Sequence, residues 1–246
     1  MKMKLLVAAA ATVLASSAMA QSAFEGFYGQ IGTGYESNNA SSLNTTGTNV
    51  SPPNDAWNVS NQSFGGVPAV VGLGYNFSVA PQWLIGIGAD YSAINQKSSN
   101  FNYTSGGAST NGSATYGSSL QTSNRFNIFV TPGYAIDKDK LVYLKAGYSS
   151  VSLKQNFPSS YTNAPGQTPI PYSTPSQTNT LSGYVVGLGY KQMIANGFYG
   201  FGEANYMSYS SASFTSSAGT GNNKYVLSNS PSLSSYQLLV GVGYKF

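Results

Sequence analysis

Few residues in this chain can do chemistry. Its 246 residues include 11 Lys and Arg, 7 Asp and Glu, no His and no Cys. Without His there is no Ser-His-Asp triad and no imidazole base or ligand. Without Cys there is no thiol nucleophile, disulfide framework or thiolate metal site. The one close carboxylate pair, Asp137 and Asp139, lies in a short polar segment where turn formation and solubility account for it. The G-x-G repeats, such as Gly72/Gly74 and Gly187/Gly189, lack Walker or Rossmann spacing. No catalytic set, cofactor or metal is therefore expected. What remains is ion pairing. Asp90, Arg125, Lys145, Lys191, Glu203 and Lys245 each fall on the parity opposite to the apolar row of their segment.

That parity defines the elements. Apolar residues recur at every second position, as in a strand with two different faces. Eight segments show it, the clearest being Val67-x-Ala69-x-Val71-x-Leu73-x-Tyr75-x-Phe77, Trp83 to Ala93, and Tyr236 to Phe246. The others lie at about 26–36, 126–136, 142–148, 184–190 and 198–208. In the 198–208 segment the parity is ambiguous; Phe198, Ala204 and Tyr206 are placed outward because the other choice would turn Glu203 to the apolar side. Ahead of them, Lys2 and Lys4 precede an apolar run at 5–15 and the small-x-small site Ala18-Met19-Ala20. This is the form of a secretory signal peptide over residues 1–20, leaving a domain of residues 21–246. The run is too short to span a bilayer as a helix. Loss of Lys2 and Lys4 lowers the formal charge from +4 to +2, so no nucleic-acid footprint remains.

The connections alternate in length. Short ones fall at 78–82, 137–140 and 192–197, and long ones at about 37–64, 96–123, 152–180 and 209–234. The long ones are rich in Ser, Thr, Asn, Gly and Pro, as loops are. Short turns at one end and long loops at the other predict an all-β, membrane-spanning, antiparallel up-and-down barrel of eight strands. Its turns face the periplasm and its four long loops face outside. The faces agree. A solvated sandwich would carry Lys, Glu and Thr opposite its apolar row, whereas this chain carries Gly. In a narrow barrel, small inward residues leave room for large ones such as Tyr28, Phe129 and Tyr143. Pro68 and Pro132 remove ladder bonds and point to a rim or bulge. Aromatics recur eight residues apart on the outward row: Phe27/Tyr35, Trp83/Tyr91, Phe126/Tyr134, Phe198/Tyr206 and Tyr236/Tyr244. Tilted strands make that about 20 Å, close to the roughly 25 Å apolar band between aromatic girdles.

The last strand reads Val240-x-Val242-x-Tyr244-x-Phe246 and ends on the aromatic. It resembles the C-terminal signal of bacterial outer-membrane barrels. With the leader, the eight segments and the text GYVVGLGY at 183–190, the mature chain resembles the opacity-protein and OmpA transmembrane-domain superfamily. The resemblance implies location in the cell outer membrane. It implies contact with the lipid bilayer and lipopolysaccharide, and recognition of Tyr244 and Phe246 by the barrel-assembly machinery. A monomer is expected. The enzymatic members of this architecture rely on an active-site His, so the chain is not expected to be an enzyme. Full-length OmpA-type proteins also carry a periplasmic peptidoglycan-binding domain; an anchoring role by that route is not expected here.

The inward charges are then expected to form a lumen network of Asp90, Arg125, Lys145, Lys191 and Glu203. Asp90 and Arg125, near the loop ends of adjacent strands, are expected to pair. Lys145 and Glu203 are expected to meet across the lumen. Two roles follow: a plugged barrel with a structural or surface-interaction function, or a narrow channel for small or apolar solutes. A secreted soluble β-protein or adhesin is the third. Tyr103, Tyr116, Tyr161, Tyr172 and Tyr225 in the loops are candidate contact residues for an unidentified surface ligand.

Overall fold

The computed structural model describes residues 22–48, 55–105, 115–157, 160–161, 168, 170–171, 176–218 and 225–246. The leader and Tyr172 lie outside them. In chain order the strands are β1 (Gly26–Ser41), β2 (Thr45–Thr48), β3 (Asp55–Asn58), β4 (Gln62–Gly66), β5 (Ala69–Ala80) and β6 (Trp83–Ser92). There follow β7 (Gln96–Lys97), β8 (Phe101–Ser105), β9 (Thr115–Asp137), β10 (Lys140–Asn156), β11 (Ser160–Tyr161) and β12 (Ile170–Pro171). The last are β13 (Ser176–Ala195), β14 (Phe198–Tyr209), β15 (Phe214–Ala218), β16 (Tyr225–Asn229) and β17 (Ser232–Lys245).

Eight of these close a ring: β1, β5, β6, β9, β10, β13, β14 and β17, each antiparallel to the next, with β17 returning to β1. Closure leaves no free edge, which a strand crossing lipid requires. Three tight turns and both ends of the ring lie on one side. The turn after β13 consists of Asn196 and Gly197, with φ of 45° and 86°. Both are in the left-handed region, as a two-residue type I′ hairpin demands. The short connection placed at 192–197 is thus narrower than expected, because β13 runs to Ala195.

The outward face is apolar. Phe27, Ile31, Val71, Leu73, Ile87, Ile128, Leu144, Leu188, Leu238 and Val240 are all exposed. Such a contiguous apolar belt is compatible only with a nonaqueous surrounding. The ambiguous segment is resolved: Tyr199, Phe201, Glu203, Asn205 and Met207 point inward on β14. Inward glycines give way to large neighbours. A Cβ at Gly189 would collide with the Tyr143 ring, and one at Gly243 with the Tyr199 ring. Pro68 lies in the break between β4 and β5, where β1 changes partner from one to the other. Its carbonyl accepts a hydrogen bond from the Thr33 hydroxyl, 2.9 Å away.

The long connections depart from expectation. They are not loops throughout. β9, β10 and β13 continue far past the apolar belt, and β2, β3, β8, β15 and β16 extend the sheet between them. This extension has its own apolar interior, built from Leu43, Trp57, Phe101, Leu153, Phe214 and Leu227 among others. Its strands are rich in Ser, Thr and Asn, and that content concealed it.

Candidate functional site

The barrel interior is built in layers. Next to the turns, Phe24, Leu84, Ala135 and Leu141 close the bottom. Asn76 holds this segment in place, donating its side-chain amide to the Phe24 carbonyl at 2.8 Å.

Above them, Lys191 projects from β13 into a cage of three tyrosines. Its ammonium lies 3.9 Å from the Tyr28 ring centroid, 4.9 Å from that of Tyr199 and 5.4 Å from that of Tyr143. Ring faces carry negative charge, and a desolvated cation gains about 2 kcal/mol or more from such a contact. The cage exists because β1, β10 and β14 each turn an inward tyrosine to the same height.

The next layer centres on Lys145 of β10, which is buried. Its ammonium donates to Asp90 at 2.7 Å and to Glu203 at 2.9 Å. It also lies 4.1 Å from the Phe129 ring centroid. Asn127 donates to the other oxygen of Asp90 at 2.6 Å. The Tyr143 hydroxyl donates to the other oxygen of Glu203 at 2.7 Å. Every charge in this layer therefore has several partners, the condition under which buried ions are tolerated.

The top layer corrects one expectation. Arg125 does not pair with Asp90; it forms an ion pair with Glu36 of β1, on the far side of the lumen. Its guanidinium also donates to the Tyr209 hydroxyl at 2.9 Å, the Asn38 carbonyl oxygen at 3.0 Å and the Ser235 hydroxyl at 3.1 Å. Gln237 and Asn38 complete Glu36, donating to it at 2.9 Å and 3.0 Å. Asp90 and Arg125 are close in the ladder but fall at different heights, and Asp90 is taken by Lys145. Lys145 and Glu203 do meet across the lumen. Lys245 is only half-buried, at the turn end. Glu36 was missed, although it continues the inward row Tyr28, Gln30, Gly32 and Gly34. Counting it, three buried cations face three buried carboxylates.

The layers leave little space. The void among Tyr28, Phe129, Tyr143, Lys191 and Glu203 measures about 10 Å³, room for one water at most. The interior can hold charges in fixed pairs.

The outer aromatics form two rings. Phe27, Trp83, Tyr134, Phe198 and Tyr244 lie toward the turns, and Tyr35, Tyr91, Phe126, Tyr206 and Tyr236 lie eight residues away. Neighbours within a ring touch edge to face: Trp83 and Tyr134 at 5.1 Å, Phe198 and Tyr244 at 4.8 Å. Phe246 is exposed beside Tyr244, with 5.1 Å between ring centroids. Its backbone N–H donates to the Phe27 carbonyl at 2.9 Å. Of the loop tyrosines, Tyr103, Tyr116, Tyr161 and Tyr225 fall in strands β8, β9, β11 and β16.

Comparison with known proteins agrees with this architecture. No curated protein sequence matches the chain. Among solved structures it is similar to Ail, the attachment invasion locus protein of Yersinia pestis, at 12% identity and a TM-score of 0.42, covering 90% of this chain and 99% of that one. It is similar to the outer membrane protease OmpT from Escherichia coli at 10% identity and a TM-score of 0.47, over 94% and 100%. It is similar to the outer membrane protein OprG from Pseudomonas aeruginosa at 13% identity and a TM-score of 0.45, over 90% and 96%. The model of the outer membrane protein beta-barrel domain matches residues 6–246. The chain belongs to that family of outer-membrane barrels.

Proposed function

We propose that this protein is a closed barrel with a structural or surface-interaction role, its ordered extension being the contact surface and its lumen a fixed plug. The carrying observation is the filled interior: three ion-paired or π-bound layers stacked along the lumen, with a space of about 10 Å³ among Tyr28, Phe129, Tyr143, Lys191 and Glu203. A rigid scaffold carrying an exposed variable end is how loops commonly bear function. The extension is built for this, since its interior is apolar and its outer face carries Ser, Thr and Asn. A non-enzymatic role is supported by the absence of His. Planar-bilayer recording tests the reading. Wild type and Asp90→Ala should both lack steady channels. Well-defined conductance in both would establish the narrow channel instead.

The same reading includes export. Residues 1–20 act as a cleaved leader, so N-terminal sequencing of protein from the outer membrane should begin at Gln21. A start at Met1 would rule that out.

A further inference from the structure

The bottom layer of the lumen is built differently from those above it. The charged and aromatic layers draw their residues from ring strands, whereas Phe24 comes from the short segment 22–25 ahead of β1. Gly26 directs that segment. Its φ of 116° turns the chain out of the strand direction and into the barrel mouth, a conformation that residues with a Cβ rarely adopt. A Cβ there would also press on the Lys245 stem at 3.2 Å and the Phe246 carbonyl oxygen at 3.4 Å. The segment folds into a tight turn, with the Glu25 N–H donating to the Ser22 carbonyl at 3.0 Å. The turn sets the Phe24 ring among Leu84, Ala135 and Leu141, where it is buried.

This seat is apolar and lightly tethered. Among the described residues, the Asn76 amide makes the one hydrogen bond that ties segment 22–25 to the ring. One carboxylate oxygen of Glu25 is buried there without a hydrogen-bond partner, a cost carried by the seated state. Directly above the Phe24 layer lies the small void. Asn76, Leu84 and Leu141 line its lower part, and Lys191 and Glu203 its upper part. Met193 packs against both the Phe24 layer and the layer of Tyr28 and Tyr199. With Phe24 removed from its seat, this void opens to the turn end, and Lys191 becomes the lowest charge of an open cup. Lys145 stays one layer higher, held by Asp90 and Glu203.

We propose that residues 22–25 are a hinged stopper, pivoting at Gly26, whose Phe24 ring leaves and re-enters the turn-end mouth and so admits small molecules to a cup that ends at Lys191. The cup is blind because the Lys145 and Arg125 layers above it stay shut. In that respect the proposal rests on the closed-lumen reading. Local opening of a lightly tethered terminal segment needs no opening of the ring, since such segments sit at the low end of a protein's range of stability.

The absence of Cys makes the test clean, because one introduced thiol is the sole target. Thr131→Cys reports on the void, which Thr131 lines. Ser149→Cys reports on the top layer, where the Ser149 hydroxyl is buried against that of Tyr209 at 2.8 Å. The mature protein, folded in detergent, is treated with methyl methanethiosulfonate, and the mass increase is followed with time. Heat-modifiable gel mobility confirms that each variant is folded. The Thr131→Cys thiol should react slowly but measurably. Adding Phe24→Ala should speed it about tenfold or more, and adding Asn76→Ala should speed it less. The Ser149→Cys thiol should stay unreactive throughout. Equal Thr131→Cys rates with and without Phe24→Ala overturn the stopper. Reaction only after Phe24 is removed shows a fixed plug and overturns the hinge. Reaction of both thiols together means that the whole barrel loosens, which also overturns the proposal. Bilayer recording separates this from the closed-lumen reading: a channel in wild type refutes that reading, while the thiol rates decide the stopper.

Discussion

Strand β10 passes through two different environments, and its two halves are inverted copies of each other. In the membrane half, Val142, Leu144, Ala146 and Tyr148 point outward, while Tyr143, Lys145, Gly147 and Ser149 point inward. In the extension, Ser150, Ser152, Lys154 and Asn156 point outward, and Val151, Leu153 and Phe157 point inward. The pleat never changes parity; only the chemistry of each face does. The same reversal falls between Tyr35 and Ser37, Tyr184 and Ser182, Tyr206 and Ser208, and Tyr236 and Ser234. A tyrosine is the last lipid-facing residue on each of these strands, and a serine follows it. The medium explains this. Lipid outside makes an apolar outer face cheap and leaves the polar residues to satisfy one another within. Water outside restores the ordinary arrangement, with an apolar core. The lower half is held by ion pairs and hydrogen bonds, and the upper half by apolar burial.

The strongest way to break this comparison is to disturb the lower core. Lys145→Ala leaves Asp90 and Glu203 buried together without their cation, at a cost of about 3–5 kcal/mol. Urea unfolding in lipid vesicles should show a much lower midpoint, with loss of the compact heat-modifiable form. An unchanged midpoint would mean that these charges are solvated.

A smaller loss is expected from the upper core. Leu153→Ala removes a fully buried side chain from the extension and should cost about 2–4 kcal/mol locally. Limited proteolysis should then cut the extension while the membrane half keeps its heat-modifiable mobility. Simultaneous loss of both would show that the two halves fold as one unit.

The smallest effect belongs to the turn end, outside both cores. Lys140 bonds Asp137 at 2.6 Å and, with the Asp139 backbone N–H, holds its carboxyl below the usual carboxylate range. A lowered folded pKa means that the contribution is present above the unfolded pKa and is lost as pH falls through the folded one. Both groups are exposed, so the change is slight. Asp137→Asn should remove a small part of the acid-side drift in unfolding midpoint measured between neutral and low pH, the buried carboxylates supplying the rest, and leave the neutral midpoint nearly unchanged.

Much of the lower half is legible in the sequence, because lipid imposes a simple rule. Period-2 alternation, the eight-residue aromatic spacing and the inward Gly row all follow from one apolar surrounding and one narrow interior. The inward direction of Asp90, Arg125, Lys145, Lys191 and Glu203 follows from parity alone. The upper half was hidden by the same rule applied in reverse. Val151-x-Leu153 and its counterparts lie among Ser, Thr and Asn, where composition reads as loop.

By itself, then, the sequence determined the side that most strand residues take, since the pleat repeats every two residues and polarity names the faces. Only the tertiary structure decided which inward residues meet. Arg125 finds Glu36 rather than Asp90, and Lys191 finds three tyrosines, because ring closure and strand stagger set the heights at which distant strands face each other. Those heights are properties of the closed barrel, and no local spacing contains them.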